Sequence, residues 1–181
     1  MLDYSLPAAF ARLDSLEVRW CLPVHAVARF SPVRRYFALV SRLGDGIAWY
    51  SLLALLPVLF GVGAVLPALH MAVTGVAGVV IYKILKRRLV RERPFHSHRG
   101  VRALVEPLDR YSFPSGHTLH AVTFTVMLGN YFPPLLGLVV PFAISVALSR
   151  VVLGLHYPTD VLAGGLLGWL LAAASLALVV A

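Results

Sequence analysis

Three short polar segments carry the side chains of this sequence that could do chemistry. They are residues 86–94, 114–117 and 149–160, and apolar stretches long enough to cross a bilayer lie between them. Charged side chains beside membrane helices are costly to place, so they mark candidate functional sites. Two histidines, a carboxylate and at least three cations are together what phosphoryl transfer through a histidine nucleophile requires.

Phosphate binding is the chemistry that the first two segments indicate. A phosphate ester presents several negative oxygens, which forked or extended cations and free amides at a helix N-terminus can bind. Lys86 and Arg93 supply cations, and Pro94 ends any helix there and would turn Arg93 back toward the bundle. Ser115 predicts an N-cap, and Gly116 allows close backbone approach to an anion.

The third segment indicates a histidine nucleophile with its partner. Arg150 precedes His156 by six residues, and Asp160 follows it by four. At that spacing a carboxylate can accept a hydrogen bond from one imidazole nitrogen, which leaves the other unprotonated for attack. His117 can protonate the leaving oxygen as a general acid. Each residue alone also has an ordinary interpretation, and only their ordered combination favours catalysis.

A metal site is the weaker interpretation of these histidines. No two histidines and a carboxylate share an obvious helical face, so neither a metal nor a cofactor is predicted. The other histidines singled out, His25, His70 and His120, are expected to be interfacial or structural.

The composition indicates a polytopic membrane protein. Of 181 residues, 59% are hydrophobic and 13% are charged, with a mean hydropathy of +0.82. Soluble domains are about half apolar and about a quarter charged. In so apolar a chain, the formal charge of +8 favours anionic lipids or a phosphorylated substrate over nucleic acid. A single cysteine, Cys21, excludes a disulfide within the chain, and residues 1–20 do not resemble a signal peptide.

An all-α membrane bundle with five or six spans must position these segments. Spans are predicted over residues 46–66, 67–85, 117–132, 134–153 and 160–181, with short links that make neighbours antiparallel. Together, residues 46–181 form one predicted transmembrane catalytic domain. Before it, residues 1–45 predict an arm of two interfacial amphipathic helices, broken at Pro23 and Pro32. The alternative is a poor sixth span over residues 22–40.

The three segments together resemble the signature of the type 2 phosphatidic acid phosphatases (PAP2). Over residues 45–175 the sequence matches Lys86-x6-Arg93-Pro94, Pro114-Ser115-Gly116-His117 and Ser149-Arg150-x5-His156-x3-Asp160. The resemblance implies that His156 forms a phosphohistidine, oriented by Asp160, with His117 as general acid and no metal. It also implies phosphate binding by Lys86, Arg93, Ser115, Gly116 and Arg150. Vanadate-dependent haloperoxidases share this anion pocket, but their larger soluble domains fit this chain badly.

The substrate is less narrowly predicted. The segment Ser41-Arg42-Leu43-Gly44-Asp45-Gly46 resembles small bacterial members of the family, which implies undecaprenyl diphosphate as the first candidate. Phosphatidylglycerophosphate and other lipid or polyprenyl-linked phosphates are the alternatives. An anion or lipid transporter is the alternative of a different class, although transporters carry polar groups near mid-membrane and show repeated halves. Membrane lipids are expected partners, and the sequence says nothing about oligomeric state.

Charge distribution and family resemblance predict opposite membrane sides for the active site. The five-span topology places all sixteen Lys and Arg on one face: six in residues 1–45, nine in residues 83–116, and Arg150. The positive-inside rule makes that face cytoplasmic. The family resemblance instead implies the periplasmic face of the inner membrane. Several of these cations would serve phosphate, so they are not independent reporters of topology.

Overall fold

The structure is a computed structural model that describes residues 5–180, and it confirms the predicted all-α architecture. Its helices alternate with short turns, and one longer connection, residues 90–115, contains no long helix and joins the first and second halves of the bundle. The α-helices described are α1 (Ser5–Ala26), α2 (Ser31–Arg42), α3 (Ala48–Phe60), α4 (Val65–Leu89), α5 (Pro94–Ser97), α6 (Gly116–Tyr131), α7 (Leu136–Val152) and α8 (Pro158–Val180).

Each of the five predicted spans corresponds to one helix. In chain order these helices are α3, α4, α6, α7 and α8. Within the described residues, four stretches are long and apolar enough to cross a membrane: Ser31–Phe60, Val62–Ser97, Pro133–Val152 and Pro158–Val179. The remaining predicted span, over residues 117–132, corresponds to α6, whose 16 residues give a length of about 24 Å. It packs against α4, α7 and α8, so it is the central helix of the bundle.

The link between the first two predicted spans lies earlier than expected. Gly61 ends α3 with a φ of 78°, a left-handed conformation that glycine adopts without strain. A single 3₁₀ turn, Val62–Ala64, then leads into α4. Pro67 therefore lies in the first turn of α4, where its missing N–H has no helical partner to lose. The prediction placed the link near residues 65–67, which form the start of α4.

The N-terminal arm corrects two expectations. Pro23 does not break α1 but lies inside its last turns. Proline has no N–H for the carbonyl four residues earlier, and near the end of a helix such a carbonyl can bind water instead. The chain breaks instead at residues 27–30, where Phe30 is extended before Pro32 in the first turn of α2. The break at Pro32 is thus confirmed. The sixth span over residues 22–40 is wrong, because no continuous helix crosses this break.

The arm packs onto the bundle beside the polar segments. Helix α1 contacts α5, α7 and α8, and α2 packs along α7. A π-helical turn, Leu43–Ile47, joins α2 to α3 and contains Gly46 at φ 135°. This turn directs Asp45 toward α6. The division of the chain into an arm and a catalytic domain at residue 45 stays a prediction.

Aromatic packing and small residues fix the central helix. Trp49 of α3 stacks on Phe124 of α6 with ring centroids 5.2 Å apart, inside a core that also holds Leu56 and Met71. On the other side of α6, glycines of α8 allow the two backbones to approach closely. The N-terminal end of α6, where the polar segments meet, is held in place by these contacts.

Candidate active site

Six of the eight predicted site residues line a single cavity of about 160 Å³. The cavity lies at the end of the bundle where α4 ends, α6 begins and the α7–α8 connection turns. The predicted residues in its wall are Lys86, Arg93, Gly116, His117, Arg150 and His156. The other two, Ser115 and Asp160, are fully buried behind that wall.

Lys86 and Arg93 are fixed by the connection that follows α5. Lys86 lies in the last turn of α4, and its Nζ donates to the carbonyl of Tyr111 at 2.8 Å and lies 3.3 Å from Asp109 Oδ2. The Nε of Arg93 donates to the carbonyl of Asp109 at 2.9 Å, and its Nη1 donates to that of Leu155 at 2.8 Å. Both cations are almost completely buried, so carbonyl groups orient them and leave their charge facing the cavity.

Arg150 reaches the same cavity from the end of α7. It is 2% exposed, and one Nη1 hydrogen is donated to Ser41 Oγ of α2. Its Nε has no hydrogen-bond partner among the described residues. A buried guanidinium N–H without a partner carries a desolvation penalty of about 1–3 kcal/mol. An anionic ligand in the cavity would satisfy it.

His156 presents Nε2 to the cavity and Nδ1 to Asp160. Arg93 Nη1 lies 3.3 Å from Nε2. Because a guanidinium only donates, Nε2 is the acceptor, and the proton of a neutral imidazole is on Nδ1. Burial lowers the pKa of His156 well below its ordinary value, and the cations Arg93 and Arg150 act in the same direction. The imidazole is therefore neutral, with an unprotonated nitrogen facing the cavity.

The contact between His156 and Asp160 is close but is not a hydrogen bond. His156 Nδ1 and Asp160 Oδ2 are 3.5 Å apart, and Nδ1 has no hydrogen-bond partner among the described residues. Asp160 Oδ2 instead accepts from the backbone N–H of Tyr157 at 2.8 Å. The predicted spacing thus brings the two side chains together, and the backbone sets the carboxylate orientation.

His117 pairs with a carboxylate that the sequence analysis did not include among the site residues. Its Nε2 forms a hydrogen bond with Asp45 Oδ1 from the turn between α2 and α3. The carboxylate stabilises the protonated imidazole that a general acid requires, and it thereby opposes burial and the neighbouring cation Arg150, which both disfavour that form. The flanking glycines of Gly44-Asp45-Gly46, directly before an apolar stretch, are the signal that could have identified Asp45.

Ser115 and Gly116 form the predicted helix start. Ser115 Oγ accepts from the backbone N–H of Thr118 at 3.4 Å, which makes it the N-cap of α6. Its side chain is therefore engaged within the helix start, and Gly116 is the residue that borders the cavity. Phosphate binding by this segment would thus rely on backbone amides at the N-terminus of α6 more than on the serine hydroxyl.

Two further residues near the site were not predicted. Asp109 pairs with Lys86 and lines the cavity, and Arg91 contacts Asp160 through Nη1 at 2.6 Å. Both lie among the many charges of residues 86–115, where spacing alone does not separate buried from solvated side chains. Within residues 10–179, no three His, Cys, Asp or Glu side chains are placed to hold a metal ion. Metal-independent chemistry stays a prediction.

The arrangement can bind and attack a tetrahedral anion. Three buried cations and the start of α6 surround a space that an unprotonated imidazole nitrogen faces. A second histidine, paired with a carboxylate, borders the same space. Such a site stabilises the charge that spreads over the oxygens of a transferring phosphoryl group.

Several characterised proteins are similar in sequence to this chain. A decaprenylphosphoryl-5-phosphoribose phosphatase from Mycolicibacterium smegmatis is 43% identical over 45% of this chain and 43% of its own length. An undecaprenyl-diphosphatase from Sulfolobus acidocaldarius is 31% identical over 71% of this chain and 62% of its own length. The chain therefore spans less than two thirds of the length of these relatives.

A solved structure extends the comparison to the whole fold. The transmembrane PAP2-type phosphatidylglycerolphosphate phosphatase from Bacillus subtilis superposes with a TM-score of 0.73 at 25% identity, over 96% of this chain and 94% of that one. Residues 67–181, more than half of the chain, match the PAP2 superfamily. These residues include all three polar segments. The protein is an integral membrane protein that belongs to the PAP2 superfamily.

Proposed function

We propose that this protein is a membrane lipid phosphatase that hydrolyses a lipid mono- or diphosphate through a phosphohistidine. The observation that carries the proposal is the position of His156. Its Nε2 is an unprotonated acceptor and borders a cavity that three buried cations surround. A neutral imidazole nitrogen beside concentrated positive charge suits attack on a phosphoryl group.

The reaction proceeds in two displacements. Nε2 of His156 attacks phosphorus, and the bond from phosphorus to the lipid oxygen breaks while His117 gives that oxygen a proton. Water then attacks the phosphohistidine, the nitrogen–phosphorus bond breaks, and His117 takes the proton from water. Lys86, Arg93, Arg150 and the backbone amide of Gly116 stabilise the phosphoryl oxygens throughout, while Ser115 fixes the start of α6 as its N-cap. Asp160 balances the positive charge that forms on His156.

Release of inorganic phosphate from a detergent-solubilised lipid phosphate in the presence of a chelator tests this proposal. His156→Ala should lower kcat by at least about 10³-fold, because it removes the nucleophile itself. His96→Ala is the matched control, since His96 is an exposed histidine of α5. Normal turnover by His156→Ala would exclude the phosphohistidine mechanism.

The substrate class that we propose is a lipid with two phosphate groups. The names of all three compared proteins describe such a compound: a phosphoryl-phosphoribose, a diphosphate and a phosphatidyl-glycerolphosphate. In each, a terminal phosphate can leave while a second phosphate stays with the lipid. Undecaprenyl diphosphate, hydrolysed to undecaprenyl phosphate, is the first candidate. Phosphatidylglycerophosphate is the alternative.

A second basic cavity supports this substrate class. It has a volume of about 300 Å³ and shares Lys86 and Asp109 with the first cavity. Its other charged residues are Lys83, Arg87 and Arg110. None of these three forms a salt bridge within residues 10–179. These three exposed cations lie next to the phosphate cavity, where they could bind a second phosphate through charge-assisted hydrogen bonds.

Farnesyl diphosphate and farnesyl monophosphate test the substrate class, because they share one lipid tail. Arg87→Gln and Arg110→Gln should lower kcat/KM for the diphosphate about tenfold, the value of one charged hydrogen bond, and leave the monophosphate nearly unaffected. Arg99→Gln is the control, since Arg99 is exposed in the same connection but outside the cavity. Equal losses on both substrates would contradict the second phosphate site.

We further propose that the protein lies in the inner membrane with its site on the periplasmic face, where undecaprenyl diphosphate is recycled. The excess of exposed arginines on residues 1–45 favours the opposite side. A cysteine placed at the exposed position Ser97 decides between the two membrane sides. The natural Cys21 does not interfere with the labelling, because it is only 1% exposed. Ser97→Cys should react with a membrane-impermeant maleimide on intact cells. Reaction only after lysis would place the site in the cytoplasm.

A further inference from the structure

A second charged cluster lies directly behind the candidate nucleophile, centred on Arg91. The side chain of Arg91 is completely buried. Its five N–H hydrogens make five hydrogen bonds to four acceptor atoms. Asp14 Oδ1 accepts from Nε at 2.9 Å and from Nη2 at 2.7 Å. Glu17 Oε2 accepts from Nη2 as well. Nη1 donates to Asp160 Oδ1 at 2.6 Å and to Thr159 Oγ1 at 2.7 Å. A guanidinium has no further donors, so this arginine is fully satisfied and fixed in orientation.

The N-terminal arm supplies half of this cluster. Asp14 and Glu17 stand one turn apart on α1, and both carboxylates point at Arg91. Glu17 also accepts from the backbone N–H of Thr159 at 2.7 Å, so it caps the start of α8. Residues 14 and 17 precede the segment that matches the family, which begins at residue 67. The arm thus contributes charged groups to the environment of Asp160.

The local backbone aims Arg91 inward. Val90 ends α4 in a left-handed conformation, with φ 45° and ψ 49°. A β-branched residue adopts this conformation only under strain of about 1–2 kcal/mol, which surrounding contacts must offset. The guanidinium carbon of Arg91 then lies 4.2 Å from the ring centroid of Tyr157 and 5.1 Å from that of Phe10. Arg91 is therefore held by contacts with two aromatic rings as well as by its hydrogen bonds.

Both oxygens of Asp160 are committed by these contacts. Oδ1 accepts from Arg91, and Oδ2 accepts from the backbone of Tyr157. Since His156 forms no hydrogen bond to Asp160, the position of the carboxylate depends on Arg91 and the backbone alone. Three carboxylates meet at one arginine, so loss of Arg91 would leave them to repel one another.

We propose that Arg91, held by Asp14 and Glu17 of α1, is a positioning residue that fixes Asp160 behind His156, and that α1 is therefore part of the catalytic unit. The inference rests on the proposed function. A purely structural role explains the cluster less well, because buried ion networks often add no stability over apolar packing of equal volume. What the network does provide is a carboxylate held in one place beside the imidazole that becomes charged during the reaction.

The test measures kcat, KM and thermal stability for farnesyl diphosphate hydrolysis by full-length variants in detergent. Arg91→Met should lower kcat about 10²-fold, the typical effect of misplacing a catalytic group by about 1 Å, with KM changed less than about threefold. Arg91→Lys should recover part of kcat, because an ammonium group can still reach one or two carboxylates. Arg88→Met is the control, since Arg88 is an exposed arginine three residues earlier in α4.

Glu17→Gln tests whether the arm acts through Arg91. It should lower kcat about tenfold in the natural sequence and have almost no further effect when combined with Arg91→Met, because the two residues form one network. Independent, multiplicative effects would overturn the coupling of α1 to the site. A lower melting temperature with unchanged kcat per folded molecule would overturn the positioning role. Absence of phosphate release by the unmodified protein from any lipid phosphate would instead overturn the proposed function.

Discussion

Arg93 Nη1 and His156 Nε2 lie 3.3 Å apart, and this pair fixes which imidazole nitrogen is available for reaction. The arginine can only donate, so it selects the tautomer with the proton on Nδ1. Spacing along the sequence predicts that Asp160 performs this selection from the other side. In the structure the selection comes from Arg93, and Asp160 provides the nearby negative charge.

His156 should therefore stay neutral in mildly acidic solution. Burial and the adjacent cations lower its pKa, so protonation requires a pH well below the ordinary histidine range. We expect ¹⁵N NMR of histidine-labelled protein to show that the His156 imidazole remains neutral at pH 5.5, protonated on Nδ1. His156→Gln would assign that signal. A cationic His156 at pH 6.5, or a proton on Nε2, would contradict both the electrostatics and the tautomer.

Asp45 should matter for the formation of the phosphohistidine only when the leaving group needs a proton. Its carboxylate binds His117, so Asp45→Asn keeps a hydrogen-bond acceptor but removes the charge that favours the imidazolium. We expect kcat/KM for farnesyl monophosphate, which releases an alkoxide, to fall about 10²-fold, the lower range for general acid catalysis, because kcat/KM reports only the steps up to release of the leaving group. An aryl phosphate such as p-nitrophenyl phosphate releases a stable anion and should lose less than about threefold.

The comparison of the two leaving groups separates general acid catalysis from phosphate binding. Lys86→Met is the contrasting variant, because its cation would contact the phosphoryl oxygens in either substrate. It should slow both reactions by similar factors. If Asp45→Asn also slowed both equally, the proton donor would not be His117.

The sequence predicts the bundle and the wall of the cavity well because both depend on local patterns. Apolar stretches identified α3, α4, α6, α7 and α8, and the motif spacings identified Lys86, Arg93, Arg150 and His156. Contacts between distant segments could not be predicted in this way. Asp45 meets His117 across 72 residues, and Asp14 meets Arg91 across 77. Whether a charge in a basic connection is buried or solvated depends on such contacts and not on spacing.

The helix ends show the same limit. Pro23 and Pro67 both predict breaks, yet one lies within the final turns of α1 and the other within the first turn of α4. Proline is compatible with the first turn of a helix, and near the C-terminal end the carbonyl that loses its partner can be solvated. The helix α3 instead ends at a glycine with positive φ, Gly61.

Close packing between α6 and α8 should make one glycine of α8 far less replaceable than its neighbour. A Cβ on Gly168 would overlap the carbonyl oxygen of Leu119, which belongs to the helix backbone and cannot move aside. Gly168→Ala should therefore destabilise the protein by about 1–3 kcal/mol, the usual effect of overpacking. Gly165→Ala is the matched control, because a Cβ there would lie 3.7 Å from Val122 in ordinary contact. Thermal unfolding in detergent measures both, and equal melting temperatures would show that the two helices are not packed this closely.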